Sequence, residues 1–304
     1  MNSNSIINKL TNFFQNRKVK YNSFILIGLI PAAIWFFIFM FYPIYLCFKM
    51  SFFNTNMAYN SEKFIGLANY KRLFSDTIFM ISLKNTVFAV IYTVPATIIL
   101  AFLLAILLNS FSDHIREGFT LIYFLPKITS MVAISIVWKW LYSPAYGLFN
   151  YLLELIGLSP MQFINSSTQA LPSITIIQVW RDVGFYAVIL LAALRSISKS
   201  YYEAAVIDGA NKLDLIKYIT LPLLKPALAF TTIMSTMEAF KIFDAVKVMT
   251  DGGPGNSTMV IVLYTIQQGI QNMDMGYASS IAVIFFILVM LITLIQWKFI
   301  KENN

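Results

Sequence analysis

Six long apolar stretches separated by polar segments dominate the pattern of residues along this chain. Each has about 20 residues or more, the length that an α-helix needs to cross about 30 Å of hydrocarbon at about 1.5 Å per residue. The pattern therefore predicts an all-α integral membrane protein with six transmembrane helices. The predicted spans are residues 24–48, 85–108, 119–141, 171–194, 227–248 and 278–297.

Composition supports the membrane assignment and excludes several kinds of site. Only 12% of the 304 residues are charged, whereas soluble globular domains have about 25%. The single cysteine, Cys47, excludes an internal disulfide, and the single histidine, His114, excludes a histidine-rich metal site. The sequence has no G-x-x-x-x-G-K-[ST] phosphate loop. We therefore predict no catalytic residues and no metal or cofactor site in this chain.

Lysine and arginine residues indicate how the spans are oriented, because they collect on the cytoplasmic side of membrane proteins. With the N-terminus in the cytoplasm, twelve of them lie in cytoplasmic segments and five in the first outer loop. Residues 142–170 and 249–277, which form the other outer loops, contain none. We therefore expect both termini to be cytoplasmic, and we attribute the net charge of +8 to this bias and to anionic lipid rather than to nucleic-acid binding.

A polar, charged segment between the fourth and fifth predicted spans is the clearest functional motif. It begins with Glu203 and reads EAAVIDGANKLDLIKYITLP up to Pro222. Its small residues leave one side of a short helix without bulk, so that another protein can approach the backbone closely. The alternative is an ordinary amphipathic helix that Pro222 ends.

Other short motifs lie along nearly the whole chain. They are Pro31 with Phe41-Tyr42-Pro43, YGLFN at 146–150, Trp180 with Gly184-Phe185, FKIFD at 240–244, TDGGPG at 250–255 and DMGYAS at 274–279. Together with the EAA segment they resemble the permease subunits of binding-protein-dependent ABC importers, closest to the maltose, multiple-sugar and glycerol-phosphate branch. One departure is Ile216, at a position that this family often fills with an aromatic residue.

This resemblance implies a type I ABC importer permease fold and a division of labour among several chains. A homologous second permease subunit, two ATPase subunits that bind ATP and Mg²⁺, an extracytoplasmic substrate-binding protein and membrane lipid are the implied partners. The implied substrate is a sugar or oligosaccharide, and the implied location is the plasma membrane. Residues 1–81 would hold the N-terminus, first span and first outer loop, 82–298 the permease domain with its EAA loop at about 196–226, and 299–304 the C-terminal tail.

The resemblance also assigns the ATPase-docking residues. They are Glu203, Ala204, Ala205, Asp208, Gly209, Ala210, Ile216, Leu221 and Pro222. Closure of the ATPase dimer would move this helix and tilt the spans between inward-facing and outward-facing states. We expect Pro222 and Pro226 to interrupt the helix between the docking segment and the fifth span.

Charged residues inside the predicted spans suggest a polar pathway, because each costs about 2.5 to 3.5 kcal/mol on insertion into the membrane. Glu238, Lys241 and Asp244 recur at i, i+3 spacing along the fifth span, followed by Lys247. At about 1.5 Å per residue, Arg181 in the fourth span reaches a depth similar to that of Glu238. We predict that these two form a pair, and that Trp180, Arg181, Glu238, Lys241 and Asp244 line the pathway. The alternative is that the salt bridges only lock the spans together.

Other functions remain open at this point. One alternative is a permease for a phosphorylated substrate, such as glycerol phosphate, or for a substrate that is not a sugar. An ion-coupled secondary transporter would need no docking loop and would usually show two similar halves with broken helices. A membrane enzyme would need metal-ligand spacing or a nucleophile beside a base, which the sequence lacks. We interpret the glycine-rich TDGGPG segment as a tight turn.

Overall fold

The computed structural model describes residues 17–56 and 61–302. Within them, the helices long and apolar enough to cross a membrane are Gly28–Met50, Thr77–Asn109, Ala170–Arg195, Lys212–Met249 and Met275–Lys298. A helix pair, Asp113–Ile128 and Met131–Leu141, meets the same criterion jointly but is bent by 96°. The described residues thus hold five such helices, or six if the bent pair crosses as one span.

The chain is mostly helical. The α-helices of the described residues are α1 Arg17–Phe36, α2 Tyr42–Met50, α3 Ala68–Ser75, α4 Thr77–Asn109, α5 Asp113–Ile128, α6 Met131–Leu141, α7 Leu148–Leu155, α8 Ala170–Arg195, α9 Lys199–Ile207, α10 Lys212–Asp214, α11 Leu221–Phe240, α12 Asp244–Met249, α13 Ile261–Ile266 and α14 Met275–Glu302. Wider π-helical turns at Phe37–Phe41, Leu215–Thr220 and Gln267–Gln271 connect helices, and a 3₁₀ turn covers Phe163–Asn165.

The segment between the first two predicted spans contains a small β-hairpin, so the description all-α needs a correction. Strand β1, Phe53–Asn56, pairs antiparallel with β2, Ser61–Phe64. The hairpin lies against the start of α14, where Gly276 permits a very close approach. A Cβ atom on Gly276 would lie 2.0 Å from the carbonyl oxygen of Phe53. This contact explains why the DMGYAS motif has a glycine at that position.

The third predicted span is not a continuous helix. Pro126 lacks the N–H that a helix needs, and α5 ends two residues later at Ile128. Thr129 and Ser130 are extended, with ψ of 142° and 128°, and the Thr129 hydroxyl donates to the carbonyl of Leu125 at 3.0 Å. The chain then turns sharply into α6, so the prediction of one straight span over 119–141 is wrong.

The fifth predicted span is broken as well, between Phe240 and Asp244. Phe243 has φ −146° and ψ −56°, which is not helical. The i, i+3 spacing predicted a single stripe of charged residues along one helix. Because of the break, the charged residues do not form that stripe. Lys247 pairs with Asp251, Nζ to Oδ1 at 2.7 Å, and so belongs to the following turn.

Pro222 and Pro226 do not separate the docking segment from the fifth span. The chain is helical from Lys212 to Phe240, through α10, a π-helical turn and α11. Pro222 lies at the second position of α11, directly after the π-helical turn Leu215–Thr220. The separation lies instead at residues 208–211, between α9 and α10.

Two packed regions form the interior. In one, small residues of α4, Ala101 and Ala105, pack with Tyr186, Ala187 and Leu190 of α8. In the other, residues of α4, α12 and α13 pack in one cluster with Tyr277 of α14. The TDGGPG segment is a turn, as predicted, because Asp251, Gly252 and Gly255 all have positive φ.

Candidate polar cavity and docking loop

A polar cavity of about 230 Å³ lies where the third and fifth predicted spans are broken. Its wall comes from the start of α6, the middle of α8 and the break between α11 and α12. The lining residues are Met131, Gln178, Arg181, Glu238, Lys241, Ile242, Phe243, Asp244 and Ala245. The two helix breaks thus expose backbone and polar side chains at one place, which an unbroken helix bundle would not do.

Asp182, on α8 beside this cavity, is the most buried charged group of the site, with 2% of its surface exposed. Its Oδ1 atom accepts from Lys127 Nζ at 3.0 Å and from Arg181 Nε at 3.0 Å. Its Oδ2 atom accepts from Gln178 Nε2 at 2.8 Å. A buried carboxylate is stable only when it is paired in this way. Asp182 therefore holds α5 and α8 together directly behind the cavity wall.

The charged network continues from Asp182 across the cavity. Arg181 Nη2 lies 4.0 Å from Glu238 Oε2, and Lys241 Nζ lies 3.7 Å from Glu238 Oε1. Glu238 keeps 35% of its side chain exposed, so it faces the open space. With Asp244 in the wall, the site has as many carboxylates as cations.

The structure brings together four of the five predicted pathway residues, namely Arg181, Glu238, Lys241 and Asp244. Trp180 is not among them. Successive residues of a helix point about 100° apart, and Trp180 faces away from the cavity, with its ring 5.4 Å from that of Trp138.

Our prediction did not include Gln178, Asp182 or Lys127 in this site. The i, i+4 spacing of Gln178 and Asp182 was a usable signal. No comparable signal in the sequence pointed to Lys127, because a hydropathy pattern does not show the bend that brings Lys127 to α8.

Trp180 instead lines an apolar groove of about 830 Å³ between α4, α5 and α8. Leu100, Leu103 and Leu107 of α4 form one wall. Gly184 lies in its floor, where α5 and α8 touch through their backbones. A Cβ atom on Gly184 would lie 1.8 Å from the carbonyl oxygen of Tyr123, so the groove depends on this glycine.

The EAA segment forms two short helices joined by a sharp turn. Gly209 ends α9 with φ +88°. Its N–H donates to Val206 at 3.1 Å, and the N–H of Ala210 donates to Ala205 at 2.9 Å. Gly209 is thus required by the left-handed backbone that terminates the helix, in addition to any role in close approach.

The second helix of the EAA segment begins with a capping box. The Asn211 side chain accepts from the N–H of Asp214, and the Asp214 side chain accepts from the N–H of Asn211. This reciprocal pair fixes the direction in which the chain leaves the turn. The two helices therefore form a defined corner and not a loose loop.

Apolar side chains project from this corner. Ile207 is 85% exposed and Leu213 is 76% exposed, and Val206 and Tyr218 are exposed beside them. Among the predicted docking residues, Glu203, Ala204, Asp208, Gly209, Leu221 and Pro222 are exposed, whereas Ala205, Ala210 and Ile216 are half-buried. Ile207 and Leu213 were missed, although large apolar residues in a polar segment are themselves a signal of an interface.

Residues 82–300 match the family described as the binding-protein-dependent transport system inner membrane component. A trehalose/maltose transport system permease protein of Thermococcus litoralis is 33% identical over 293 residues, covering 96% of this chain and 97% of that protein. The sulfoquinovosyl glycerol transport system permease protein of Agrobacterium fabrum is 34% identical over 278 residues, covering 91% of this chain and 90% of that protein.

The fold also matches a solved structure. A bacterial alginate ABC transporter, crystallised in complex with an alginate pentasaccharide-bound periplasmic protein, contains a chain with a TM-score of 0.81 and 25% identity. The match covers 93% of this chain and 96% of that chain. The fold is that of a type I ABC importer permease, and the relatives are transport subunits rather than enzymes. The chain belongs to the binding-protein-dependent transport system inner membrane components, the permease subunits of ABC importers.

Proposed function

We propose that this chain forms half of the translocation pathway of an ABC sugar importer, and that sugar passes through the polar cavity. The observation that carries this proposal is the cavity itself, built where two spans break and lined by paired charges. Relatives transport trehalose or maltose and sulfoquinovosyl glycerol, as their names state. Donors and acceptors placed side by side suit the hydroxyl groups of such molecules.

The pairing of charges favours hydroxyl-rich over phosphorylated substrates. Arg181 is held by Asp182 at 3.0 Å, and Lys241 lies 3.7 Å from Glu238. Neither cation is left without a carboxylate, so a phosphate would have to compete with an existing partner. This argument leaves glycerol phosphate as the weaker alternative substrate.

The exposed corner of the EAA segment is the proposed docking site for the ATPase subunits. Ile207 and Leu213 would insert into an apolar cleft of an ATPase, with the small residues Ala204 and Gly209 allowing close approach. Because the chain is helical from Lys212 to Phe240, displacement of the corner would be transmitted to Glu238 and the cavity. This continuity supports coupling of ATP hydrolysis to the pathway.

A homologous second permease subunit is the proposed partner within the membrane. The first span is apolar, yet none of the 18-residue window that defines it is buried within the chain. The groove between α4, α5 and α8 is also apolar and open. We propose that both surfaces are covered by the second subunit, with the remaining faces in contact with lipid.

The lysine and arginine distribution supports six spans in the plasma membrane, with both termini in the cytoplasm. In this orientation the EAA corner faces the ATPases, and the first outer loop and the TDGGPG turn face outwards. A substrate-binding protein would deliver sugar from that side.

Protection of an introduced cysteine tests the pathway. In a Cys47→Ser background, Glu238→Cys should be labelled by a thiol reagent in the reconstituted importer, and transported sugar should slow the labelling. Trp180→Cys is the control, because Trp180 is the neighbour of the cavity residue Arg181 on α8 but lines the apolar groove instead. Equal effects of sugar at the two positions would contradict the assignment of the cavity.

Glutamate substitutions test the docking corner. Ile207→Glu should abolish recovery of the ATPase with the permease, because a charge cannot enter an apolar cleft without a large cost. Leu158→Glu, an equally drastic change at an exposed leucine of the second outer loop, should leave recovery unchanged. Full recovery of the ATPase with Ile207→Glu would rule out this docking surface.

A further inference from the structure

The first outer loop carries a surface that neither the pathway nor the docking corner explains. We infer that this surface, formed by Lys63, Phe64, Leu67, Lys71 and Phe74 and here called the outer platform, docks an acidic face of the substrate-binding protein. The inference rests on the proposed function and on the orientation given above, and it assigns a particular surface to that partner.

The first observation is an imbalance of charge. Five lysine and arginine residues lie between the first and second predicted spans, at Lys49, Lys63, Lys71, Arg72 and Lys84, whereas residues 142–170 and 249–277 contain none. Such residues are normally depleted outside. The anionic lipid that attracts cations belongs to the cytoplasmic leaflet, so it does not account for them.

The second observation is that the two lysines of the platform are exposed and have no ion pair among the described residues. Lys49 pairs with Glu62 at 3.4 Å, and Arg72 pairs with Asp274 at 2.7 Å. Lys63 and Lys71 are left with their charges available to a partner. Exposed charges of this kind steer an oppositely charged protein towards its docking position.

The third observation is the apolar centre of the platform. Phe74 is 72% exposed and Phe64 is 66% exposed, with Leu67 exposed as well. The strand residues beside Phe64 are polar, at Ser61, Glu62 and Lys63, which is the composition of a segment in water rather than in lipid. Aromatic anchors with a charged rim are typical of protein interfaces.

The platform is held rigidly on the rest of the chain. The Asn69 side chain donates to the carbonyls of Ser51 and Phe53, both at 3.0 Å. The Arg72 guanidinium lies 3.8 Å from the centre of the Tyr277 ring while it pairs with Asp274. The loop is thereby fixed to the start of α14.

Asp76 adds a second anchor at the start of α4. Its carboxylate accepts from the hydroxyls of Tyr264 and Tyr277 and from the backbone N–H groups of Ile78 and Phe79. Burial alone would raise the pKa of Asp76, but these hydrogen bonds lower it below its ordinary value. A surface fixed in this way loses little conformational entropy on binding.

The experiment uses the complete importer in nanodiscs of phosphatidylcholine alone, with its substrate-binding protein loaded with sugar. The measured quantity is the concentration of that protein that gives half-maximal stimulation of ATP hydrolysis. Lys63→Glu with Lys71→Glu should raise it about tenfold at low ionic strength, and much less in about 0.5 M salt. Phe74→Ala should raise it about tenfold at either ionic strength.

Lys84→Glu, the same change at an exposed lysine of α4 outside the platform, is the control and should have little effect. Maximal stimulated hydrolysis should be unchanged in all variants. An unchanged half-maximal concentration in the double variant would overturn the inference. So would an effect that appears only when anionic lipid is added, because the cations would then face lipid. If no binding protein stimulates the unmodified importer, the proposed function itself fails.

Discussion

Loss of the buried Asp182 charge should strongly destabilise this protein, and Asp182→Asn removes that charge with almost no change of shape. The carboxylate is 2% exposed and accepts from Lys127, Arg181 and Gln178. Asparagine would leave Lys127 without a carboxylate partner, and Arg181 with only Glu238 at 4.0 Å. Breaking a buried pair by removing one partner costs about 3 to 5 kcal/mol.

Glu238→Gln should cost much less than Asp182→Asn, although Glu238 was the partner that we predicted for Arg181 from the sequence. Its contact with Arg181 is at 4.0 Å and its side chain is 35% exposed. Solvent screens a contact of this kind, and we expect a loss of about 0 to 1 kcal/mol. The parent should therefore be the most stable, Glu238→Gln slightly less stable, and Asp182→Asn much less stable than both.

Thermal unfolding in detergent measures this order, and a double-mutant cycle with Lys127→Met tests its cause. Because Lys127 and Asp182 neutralise each other, removing both should cost less than the sum of the two single losses. Strictly additive losses, or equal losses for Glu238→Gln and Asp182→Asn, would refute the assignment of Asp182 as the centre of the network.

Three further predictions address the packing, the outer anchor and the orientation. Gly184→Val should lower the unfolding midpoint strongly, because even a Cβ atom would lie 1.8 Å from the Tyr123 carbonyl oxygen; an unchanged midpoint would contradict that contact. Asp76→Asn should destabilise the protein at neutral pH, and the difference from the parent should shrink as the pH falls below the ordinary pKa of 3.8 and then through the lower pKa of the folded state. The sign follows from the lowered pKa, since the stabilisation is present above the ordinary value and is lost on protonation; a difference that persists in acid would refute it. A cysteine at Lys212 should react with an impermeant reagent only from the cytoplasmic side, and labelling from outside would invert the orientation.

Length and hydropathy predicted the helical stretches but not their breaks. The break after α5 has a local signal in Pro126, because proline removes a helix hydrogen bond. The break at residues 241–243 has neither glycine nor proline, so no local preference indicates it. The hairpin between the first two predicted spans was missed for a related reason, since four-residue strands that lie against α14 depend on tertiary contact with Gly276.

The part of the candidate site that could be predicted from the sequence is the set of charged residues inside the predicted spans. Arg181, Glu238, Lys241 and Asp244 were identified because charges are rare in spans. Asp182, the buried centre of the charged network, was not assigned to the site. Its role depends on Lys127, and only the bent third span brings Lys127 close to Asp182. Trp180 lines the apolar groove and not the cavity with the other four, because neighbours in sequence point to different faces of a helix.

ATP-driven uptake of sugar into proteoliposomes tests the central claim most directly. The importer is reconstituted with this chain, its second permease subunit, its ATPases and its sugar-loaded binding protein, either unmodified or with Ile207→Glu. We predict uptake that requires ATP and the binding protein, and that is lost in the variant although the permease remains folded in the membrane. Uptake that persists without ATP hydrolysis and follows an ion gradient instead would contradict the account.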